Sequence, residues 1–422
     1  MYLLRWLLLL TPVALVSGSA SALFLWALDE ATRLRLQYPA LLFGLAPMGV
    51  LIVWLYRTWG GRAERGNNLL LDEIHEPGGG VPARMAPLVL VTSVLTHLVG
   101  GSAGREGTAV QMGGSVAGVW ARWFRLPDSD RRILLMGGMA AGFGSIFGTP
   151  LAGAIFALEV LAVGRMTYGA LVPCLIASIL GDMACSAWGA HHTEYEVLFS
   201  SADLPVFSVE RGVLLGEVLG AGALFGLTAR LFAGSVHGLQ ALYARYVPVV
   251  YLRPVIGSAV LLALVWGLGT RDYLGLGVLP QRPGGVSILS AFEPGGVTPF
   301  SWGWKLIFTA VTLSSGFKGG EVTPLFFIGA CLGNVLATLV GAPVDLFAAL
   351  GFIAVFGAAA NTPLACTLMG LELFGSGNLV FFAVACFTAY LFSGSRGIYS
   401  AQRRSTPKTT ETPLERPLDK DT

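Results

Sequence analysis

The chain has 422 residues, of which 54% are hydrophobic and only 12% are charged. Soluble domains carry about 25% charged residues, so this composition excludes a soluble globular protein and predicts a membrane protein. The formal net charge of +2 argues against a chain that binds nucleic acid or another acidic partner.

The first apolar segment runs from Trp6 to Leu28. Its middle, Ser17 to Ala22, is rich in small residues and resembles the cleavage site of a signal peptide. Apolar residues resume directly afterwards, however, and the whole run is long enough to cross a bilayer as a helix. We therefore expect the first membrane helix here rather than a cleaved leader.

The apolar segments that follow are uneven in length. Some are too short or too rich in glycine for one clean crossing, and others are long enough to be tilted. This pattern predicts an all-α, polytopic membrane protein with discontinuous and tilted helices. The predicted segments are 38–56, 85–100, 106–121, 133–163, 167–188, 209–242, 249–269, 300–316, 322–341, 343–360 and 363–394.

Parts of the chain repeat. The tetrapeptide at Thr149 recurs at Thr362, and the Leu-Glu pair ending in Glu159 recurs at Glu372, both after 213 residues. We interpret this as an internal duplication with halves of about 1–205 and 208–400. The paired glutamates indicate a structural role, either helix capping or subunit contact. Duplicated membrane halves with broken helices are typical of transporters whose site lies between the repeats.

The C-terminal residues, 401–422, form a short polar tail. Arg403 and Arg404 stand next to the last apolar segment, and basic residues beside a membrane span favour the cytoplasmic side. We therefore expect a cytoplasmic C-terminus and a single transmembrane transport domain over residues 1–400.

Glycine-rich breaks interrupt the apolar segments at four places. The second break places Arg105 and Glu106 side by side in an apolar context, where charges are costly and usually functional. A helix that starts at Glu106 directs its free N–H groups and its positive dipole end towards an anion. The breaks are Gly66-Asn67-Asn68, Gly104 to Thr108, Gly316 to Pro324 and Ser393 to Tyr399.

Three of the breaks also carry a side-chain donor: the amide of Asn67, the hydroxyl of Thr323 and the phenol of Tyr399. An anion that loses its water needs such donors in place of the hydration shell. The sequence therefore predicts an anion site at the broken helices, with Glu106 as its titratable gate.

This set of motifs resembles the CLC family of chloride channels and anion/proton antiporters over residues 60–400. The most specific motif is Gly104-Arg105-Glu106-Gly107, and its second-half counterpart is Gly319 to Pro324. Tyr399 stands where the family has its site tyrosine. The resemblance implies an inverted repeat of mostly intramembrane helices and a homodimer with one pore per subunit.

The departures from the chloride-type pattern indicate a branch of that family. This chain has Gly66-Asn67-Asn68-Leu69-Leu70 in place of Gly-Ser-Gly-Ile-Pro, Thr108 in place of Pro, and Gly320-Glu321-Val322-Thr323-Pro324 in place of Gly-Ile-Phe-Ala-Pro. These substitutions look like those of the fluoride/proton antiporters, which export fluoride from bacteria. The resemblance thus implies a multi-pass protein of the bacterial inner (plasma) membrane, in contact with membrane lipid.

The resemblance also implies roles for individual residues. Glu106 is the gating and proton-transfer glutamate, and Glu321 is a candidate for proton handling. Asn67 stands in the position of the family's anion-coordinating serine. The remaining residues expected at the anion are Gly104, Arg105, Gly107, Val322, Thr323 and Tyr399.

Each of these roles has a structural alternative. Glu106 could only pair with Arg105, although consecutive residues of a helix do not face each other. Asn67 could serve only as a helix cap, and Thr323 could bond back to its own helix. Tyr399 could be an aromatic residue of the membrane interface, and Glu321 could be a solvated carboxylate of the vestibule.

The sequence therefore predicts a fluoride/proton antiporter driven by the inward proton gradient. The competing predictions are a chloride/proton antiporter or a passive anion channel on the same fold. An intramembrane enzyme would need a nucleophile with a partnered histidine, or a metal motif such as HExxH. Neither motif occurs, and the histidines are expected away from the glycine breaks, with His191 and His192 solvated. The cysteines lie singly in apolar runs and predict small apolar side chains, so neither a metal nor a cofactor is expected.

Overall fold

The computed structural model describes residues 2–201, 205, 207–405 and 408, which form α-helices and one short strand pair. The helices of the first half are α1 Tyr2–Gln37, α2 Leu45–Leu55, α3 Asn67–His75, α4 Met85–Leu98, α5 Glu106–Trp123, α6 Asp128–Phe147, α7 Pro150–Glu159 and α8 Leu171–Ala187. Those of the second half are α9 Val209–Tyr246, α10 Leu252–Leu268, α11 Ser301–Ser314, α12 Val322–Val340, α13 Val344–Ala360, α14 Pro363–Phe374 and α15 Leu379–Phe392.

Five helical segments of the described chain are long and apolar enough to cross a membrane. They include α1, a continuous helix of 36 residues that contains the predicted run from Trp6 to Leu28. Trp6 and Leu10 of this helix are fully buried and belong to the core. This burial supports a first membrane helix, because a cleaved leader would not contribute core residues. The remaining segments of this kind are Pro39–Arg65, Tyr168–Ala187, Val209–Tyr246 and Val322–Val340.

Two of the predicted apolar segments, 133–163 and 363–394, each contain two helices rather than one. The first is divided after α6, where Gly148 has a φ of +71° and Pro150 begins α7. The second is divided after α14, where Gly375 has a φ of +83°. Glycine accepts these angles without a steric penalty, and proline fits the first turn of a helix, so both breaks follow from local chemistry.

Helices of the two halves correspond in order. Only α3 lacks a counterpart, since residues 270–299 form an irregular connection with one short 3-10 turn. The same order in both halves supports the predicted duplication, while the boundary between 205 and 208 stays a prediction. The corresponding pairs are α1 and α9, α2 and α10, α4 and α11, α5 and α12, α6 and α13, α7 and α14, and α8 and α15.

The repeated glutamates show how the halves are oriented. The carboxylate of Glu159, at the end of α7, accepts hydrogen bonds from the second and third residues of α14 at 3.1 and 2.8 Å. Glu372, at the end of α14, accepts two bonds of 2.8 Å from the second and third residues of α7. Each helix therefore ends beside the start of the other, so the two run antiparallel. Because α7 and α14 are counterparts, the repeat is inverted, and the predicted capping role of the two glutamates is confirmed.

Close helix packing also repeats between the halves. A Cβ on Gly113 would meet the carbonyl of Gly138, which brings α5 against α6. Gly329 and Gly351 make the equivalent approach between α12 and α13. Small residues allow such contacts in membrane proteins, where helix association depends on packing rather than on exclusion of water.

The start of the predicted tail is attached to the helical part of the chain. Strand β1, Ala162–Val163, pairs in parallel with strand β2, Arg403–Arg404. The composition of the tail had not predicted this pairing. Residues 406–407 and 409–422 lie outside the described part of the chain. The predicted role of the cysteines as small apolar side chains is confirmed, since all five are free and buried.

Candidate functional site

Two of the predicted breaks meet each other. The N–H of Gly104 donates to the carbonyl of Gly320 at 2.6 Å, and the N–H of Gly320 donates back at 2.8 Å. The two glycines are counterparts in the duplicated pattern, although 216 residues separate them and 213 separate the Thr-Pro and Leu-Glu repeats. The pair therefore lies where the two halves face each other and brings the starts of α5 and α12 together.

Glu106 lies between these two helix starts and is only 1% exposed. Its Oε2 atom accepts hydrogen bonds from the backbone N–H of Arg105 at 3.0 Å and of Thr323 at 3.1 Å. The hydroxyl of Thr323 donates to Oε1 of the same carboxylate. The carboxylate thus occupies the place that a bound anion takes at the N-terminus of a helix.

Arg105 also approaches the carboxylate. Its Nε atom lies 3.7 Å from Oε1 of Glu106, although the two residues are consecutive. The approach is possible because Arg105 precedes the helix as its N-cap. The ion pair expected only as a structural alternative is therefore present, together with the bonds from Thr323.

Thr323 does not bond back to its own helix, which was the structural alternative for this residue. Its hydroxyl donates to Glu106 in the other half. Val322 is the first residue of α12, and Gly107 is the second residue of α5. A Cβ on Gly107 would lie 3.1 Å from the amide nitrogen of Asn67. Glycine at this position therefore leaves room for that amide.

Asn67, Glu321 and Tyr399 line one polar cavity of about 200 Å³, which we call the inner cavity. Its wall also contains Gln111 and Lys318. The sequence prediction that the breaks converge is therefore confirmed geometrically. The individual roles of these residues remain predictions.

The structural alternatives for two residues of the inner cavity do not fit. Asn67 makes no cap bond to α3, and its Oδ1 atom is buried without a partner among the described residues. Tyr399 is only 7% exposed, whereas an interfacial aromatic would reach the bilayer surface. Glu321, by contrast, is compatible with both of its predicted roles, because it lines a cavity that contains other polar groups.

On the other side of Glu106 lies a much smaller space of about 10 Å³, the outer cavity. Its lining includes Arg105, Thr323, Phe147 and Phe326. Such a volume holds about one water molecule. This side of the site is therefore nearly filled while the carboxylate occupies its present position.

The expectation that the histidines lie away from the breaks was wrong. His192 lines the outer cavity with both ring nitrogens buried and unpartnered in the described chain. Burial, followed by the charge of Arg105, lowers the pKa of His192 to about 4, so the ring is neutral at physiological pH. His97 lies against the second break, with Nε2 at 3.0 Å from the carbonyl of Ala103. Its position seven residues before Gly104 was a signal, while nothing local in the sequence marked His192.

Three further polar residues lie near the site, and none of them was predicted to contact the anion. Gln111 interrupts an apolar helix shortly after Glu106, and that interruption was a usable signal. Asn68 accepts a hydrogen bond of 2.9 Å from the N–H of Ala401, which joins α3 to the chain just after Tyr399. Thr108 shares a hydrogen bond of 2.8 Å with Ser93 of α4. Its hydroxyl therefore positions α5 rather than reaching the anion site.

Comparison with known proteins places these features in a family context. A family model described as voltage gated chloride channel matches residues 48–394. The chain is 47% identical over 408 residues to a chloride/fluoride channel protein of Pseudomonas syringae pv. tomato, covering 95% of this chain and 87% of the relative.

Two solved structures are similar over nearly the whole chain. A crystal structure of a CLC-type fluoride/proton antiporter superposes with a TM-score of 0.88 at 36% identity, covering 96% of this chain and 98% of the other. A slow cyanobacterial Cl⁻/H⁺ antiporter superposes with a TM-score of 0.78 at 20% identity, covering 94% and 96%. The second likeness concerns the fold alone.

Proposed function

The chain belongs to the voltage gated chloride channel family, known as CLC, and we propose that it exchanges fluoride for protons across a membrane. The observation that carries the proposal is the carboxylate of Glu106, held by the first N–H groups of α5 and α12 and by the hydroxyl of Thr323. The similar proteins described as a chloride/fluoride channel and as a fluoride/proton antiporter support the choice of anion.

In the first state of the proposed cycle, Glu106 is charged and takes the place of the transported anion. Its oxygens accept the hydrogen bonds that would otherwise go to fluoride. The outer cavity, at about 10 Å³, admits at most one particle of the size of water, and the charge of the carboxylate repels an anion there. A charged Glu106 therefore closes the route.

Protonation of Glu106 opens the site. A neutral carboxyl group loses the charge that makes its hydrogen bonds to two helix N-termini strong. The side chain then leaves, and its donors become free for fluoride. Fluoride is small and strongly hydrated, so a site with N–H, hydroxyl and amide donors replaces its water best. In this scheme Arg105, Thr323 and Asn67 supply those donors.

The inner cavity provides the route for both ions on the other side. Lys318 and Asn67 in its wall suit an anion, and Glu321 supplies a carboxylate that can accept a proton. Glu321 lies close to Gly107, since a Cβ there would be 3.7 Å from its Oε2 atom. This proximity supports transfer of a proton between Glu321 and Glu106.

Coupling follows because the proton and the anion use one place in turn. The carboxylate leaves only when protonated, and fluoride enters only when the carboxylate has left. An inward proton gradient then drives fluoride out of the cell. Because the chain acts on ions that move rather than on bonds that break, we assign it a transport activity and not an enzymatic one.

Purified protein in liposomes tests the anion and the coupling together. Liposomes are loaded with fluoride or with chloride at equal concentration, and anion efflux and proton uptake are recorded at the same time. We expect faster efflux of fluoride than of chloride, with protons taken up in proportion. Equal or faster chloride efflux would reject fluoride as the substrate.

The same assay separates the two competing functions. The name of the Pseudomonas relative contains both chloride and channel, which keeps a chloride carrier and a passive channel under test. A channel gives anion efflux without proton uptake under a pH gradient. A chloride/proton antiporter gives coupled uptake that chloride supports better than fluoride.

We also propose that the chain is a homodimer in the bacterial plasma membrane, with one transport domain over residues 1–400. Its five long apolar helices support the membrane location. Chemical crosslinking in isolated inner membranes, followed by gel electrophoresis, tests both points. Recovery of only monomeric protein from those membranes would reject the dimer.

A further inference from the structure

A second polar cavity lies outside the proposed ion route. It measures about 460 Å³ and is bounded by the C-terminal ends of α1 and α10 and by residues 270–282. Val278 of the same connection lines the outer cavity. The connection therefore contributes to both the outer cavity and this second cavity, which we call the arginine cavity.

The arginine cavity carries an excess of positive charge. Arg35, Arg271 and Arg282 line it together with one carboxylate, Asp272. Arg282 is the partner of that carboxylate, at 3.5 Å. Arg35 and Arg271 are left without an acidic partner in the described chain, so the cavity attracts anions.

Arg35 offers hydrogen bonds that the protein does not use. The residue is only 7% exposed, and its Nε atom is buried with no hydrogen-bond partner among the described residues. One of its other nitrogens makes a long bond of 3.4 Å to Gln281. A buried guanidinium normally has its donors satisfied, so an unpartnered donor here indicates a missing acceptor.

Arg35 is in the last turn of α1, where a cation is favoured by the helix dipole. That explanation does not account for the unpartnered Nε, because the side chain donates no hydrogen bond to the last carbonyl groups of the helix. The guanidinium instead lies against Gly275, where a Cβ would be 2.9 Å from it. It is therefore held at the cavity wall and away from the helix end.

The mouth of the arginine cavity is apolar. Trp266 and Leu36 line it, and Trp266 is 66% exposed. The Trp266 ring lies 6.2 Å from that of Phe43, which is also exposed. Exposed tryptophan in a membrane protein marks the level of the lipid headgroups. A buried guanidinium, that of Arg35, and apolar side chains at the mouth suit an anion that is attached to a hydrocarbon chain.

The size of the cavity selects among anions. A single halide ion fills only a small part of 460 Å³, and pockets for organic ligands have volumes of about 300 to 1,000 Å³. Guanidinium groups match the oxygens of a phosphate in a bidentate geometry. We propose that the arginine cavity binds a phosphate group, carried by an anionic phospholipid or present as free phosphate.

Delipidated protein in detergent tests the proposal. Native mass spectrometry measures retention of phosphatidylglycerol and, separately, of zwitterionic phosphatidylcholine, while thermal unfolding is followed with inorganic phosphate and with fluoride. A phospholipid ligand gives selective retention of phosphatidylglycerol. A free-phosphate ligand gives a higher unfolding temperature with phosphate but no selective retention of lipid. Either result supports a phosphate site and identifies its source.

Variants connect the binding to the cavity. Arg35→Gln and Arg271→Gln should each weaken binding by about tenfold, the effect of losing a hydrogen bond to a charged group. Arg271 is exposed and makes no hydrogen bond in the described chain, so its replacement does not endanger folding. Arg33→Gln is the matched control, because Arg33 is on the same helix and pairs with Glu30. Equal binding by all three variants and the native protein would overturn the proposal, and so would the absence of both selective phosphatidylglycerol retention and protection by phosphate.

Discussion

The starts of α5 and α12 have the same backbone arrangement but different side chains. Gly104 and Gly320 join them through reciprocal hydrogen bonds, and each helix directs its free N–H groups to the same place. The first two residues of α5 are Glu106 and Gly107, whereas the first two residues of α12, their counterparts, are Val322 and Thr323. One helix start therefore supplies a titratable carboxylate, and the other supplies a hydroxyl.

This difference separates binding from coupling. The duplicated backbone alone provides donors for an anion from two directions. A titratable group on both sides would put two carboxylates in one small space, where their repulsion would keep one of them protonated. Of the carboxylates in the described chain, only Glu106 is hydrogen-bonded between the two helix starts, because Glu321, the counterpart of Arg105, lines the inner cavity instead, so the charge of Glu106 decides whether an anion can enter. Symmetry of the backbone thus serves anion binding, and asymmetry of the side chains serves proton exchange.

Replacing Glu106, the titratable residue at the start of α5, should have the largest effect. Glu106→Gln keeps the size of the side chain but cannot gain or lose a proton. We expect proton uptake by fluoride-loaded liposomes to fall to the level of liposomes without protein. A fluorescent pH indicator outside the liposomes measures this directly.

Glu372→Gln is the control for that variant. It makes the same chemical change at a carboxylate that only caps a helix in the described structure. We expect its protons and fluoride to remain coupled. Normal coupling in Glu106→Gln would show that the gate lies elsewhere.

Removing the hydroxyl of Thr323, at the start of α12, should have the next largest effect. Thr323→Val has nearly the same shape but no donor for the carboxylate or for fluoride. A hydrogen bond to a charged group contributes about 1.5–3 kcal/mol, so the apparent affinity for fluoride should fall about tenfold or more. The dependence of efflux on fluoride concentration gives that affinity.

Thr323→Ser keeps the hydroxyl and serves as the matched control. Its affinity should stay close to that of the native protein. If valine and serine gave the same half-saturating concentration of fluoride, the hydroxyl would have no part in the anion site.

The backbone contact between the starts of α5 and α12 can also be disturbed. A Cβ on Gly320 would lie 2.9 Å from the backbone nitrogen of Gly107 and 3.3 Å from that of Glu106. These are main-chain atoms that cannot move aside, and overpacking of this kind costs about 1–3 kcal/mol. Gly320→Ala should therefore lower the unfolding temperature and slow fluoride efflux.

Gly234→Ala is the control for this backbone change, because no atom lies within 4 Å of the Cβ that it would add. It lies inside α9, where alanine is the better helix former by about 1 kcal/mol. The control should unfold at the native temperature or above it. A similar loss of unfolding temperature and efflux in both variants would show that the effect does not come from the contact between the starts of α5 and α12.

Much of this arrangement was predictable because its signals are local. Charged residues in an apolar run marked Arg105 and Glu106, and glycine and proline marked the helix breaks. The repeated Leu-Glu pairs predicted a structural role for Glu159 and Glu372, either helix capping or subunit contact, and the structure shows capping. Each of these inferences depends on residues that are close in the sequence or repeated in it.

The remainder depends on packing between distant segments. Asn67, Glu321 and Tyr399 share a cavity although more than 250 residues separate the first from the second. The glycine breaks and their side-chain donors predicted a shared anion site for Asn67 and Tyr399, whereas the role of Glu321 was implied by the family resemblance. His192 and Arg35 gave no signal at all, because their importance comes from unpartnered buried nitrogens that only the fold reveals. The ion pair of Arg105 with Glu106 was expected only as an alternative, because consecutive residues inside a helix point apart. Arg105 precedes α5 as its N-cap, so this rule does not apply to it.

The pair α7 and α14 provides the symmetric counterpart of α5 and α12, and it should show the smallest effects. Each helix start is capped by a glutamate of the other helix, with closely similar bond lengths on both sides. Loss of a helix cap costs about 0.5–2 kcal/mol. Glu159→Ala and Glu372→Ala should therefore lower the unfolding temperature by similar amounts and leave the ratio of protons to fluoride unchanged.

Thermal unfolding in detergent and the liposome assay measure these two quantities for the cap variants. Ala replacement of the exposed Glu196 is the control, because it removes a carboxylate that caps no helix in the described chain. Unequal losses for the two caps would show that the inverted halves are not equivalent even where their residues repeat. A changed ion ratio in either variant would mean that proton exchange involves residues beyond Glu106 and Glu321. The capping pair α7 and α14 would then take part in coupling, as the pair α5 and α12 does.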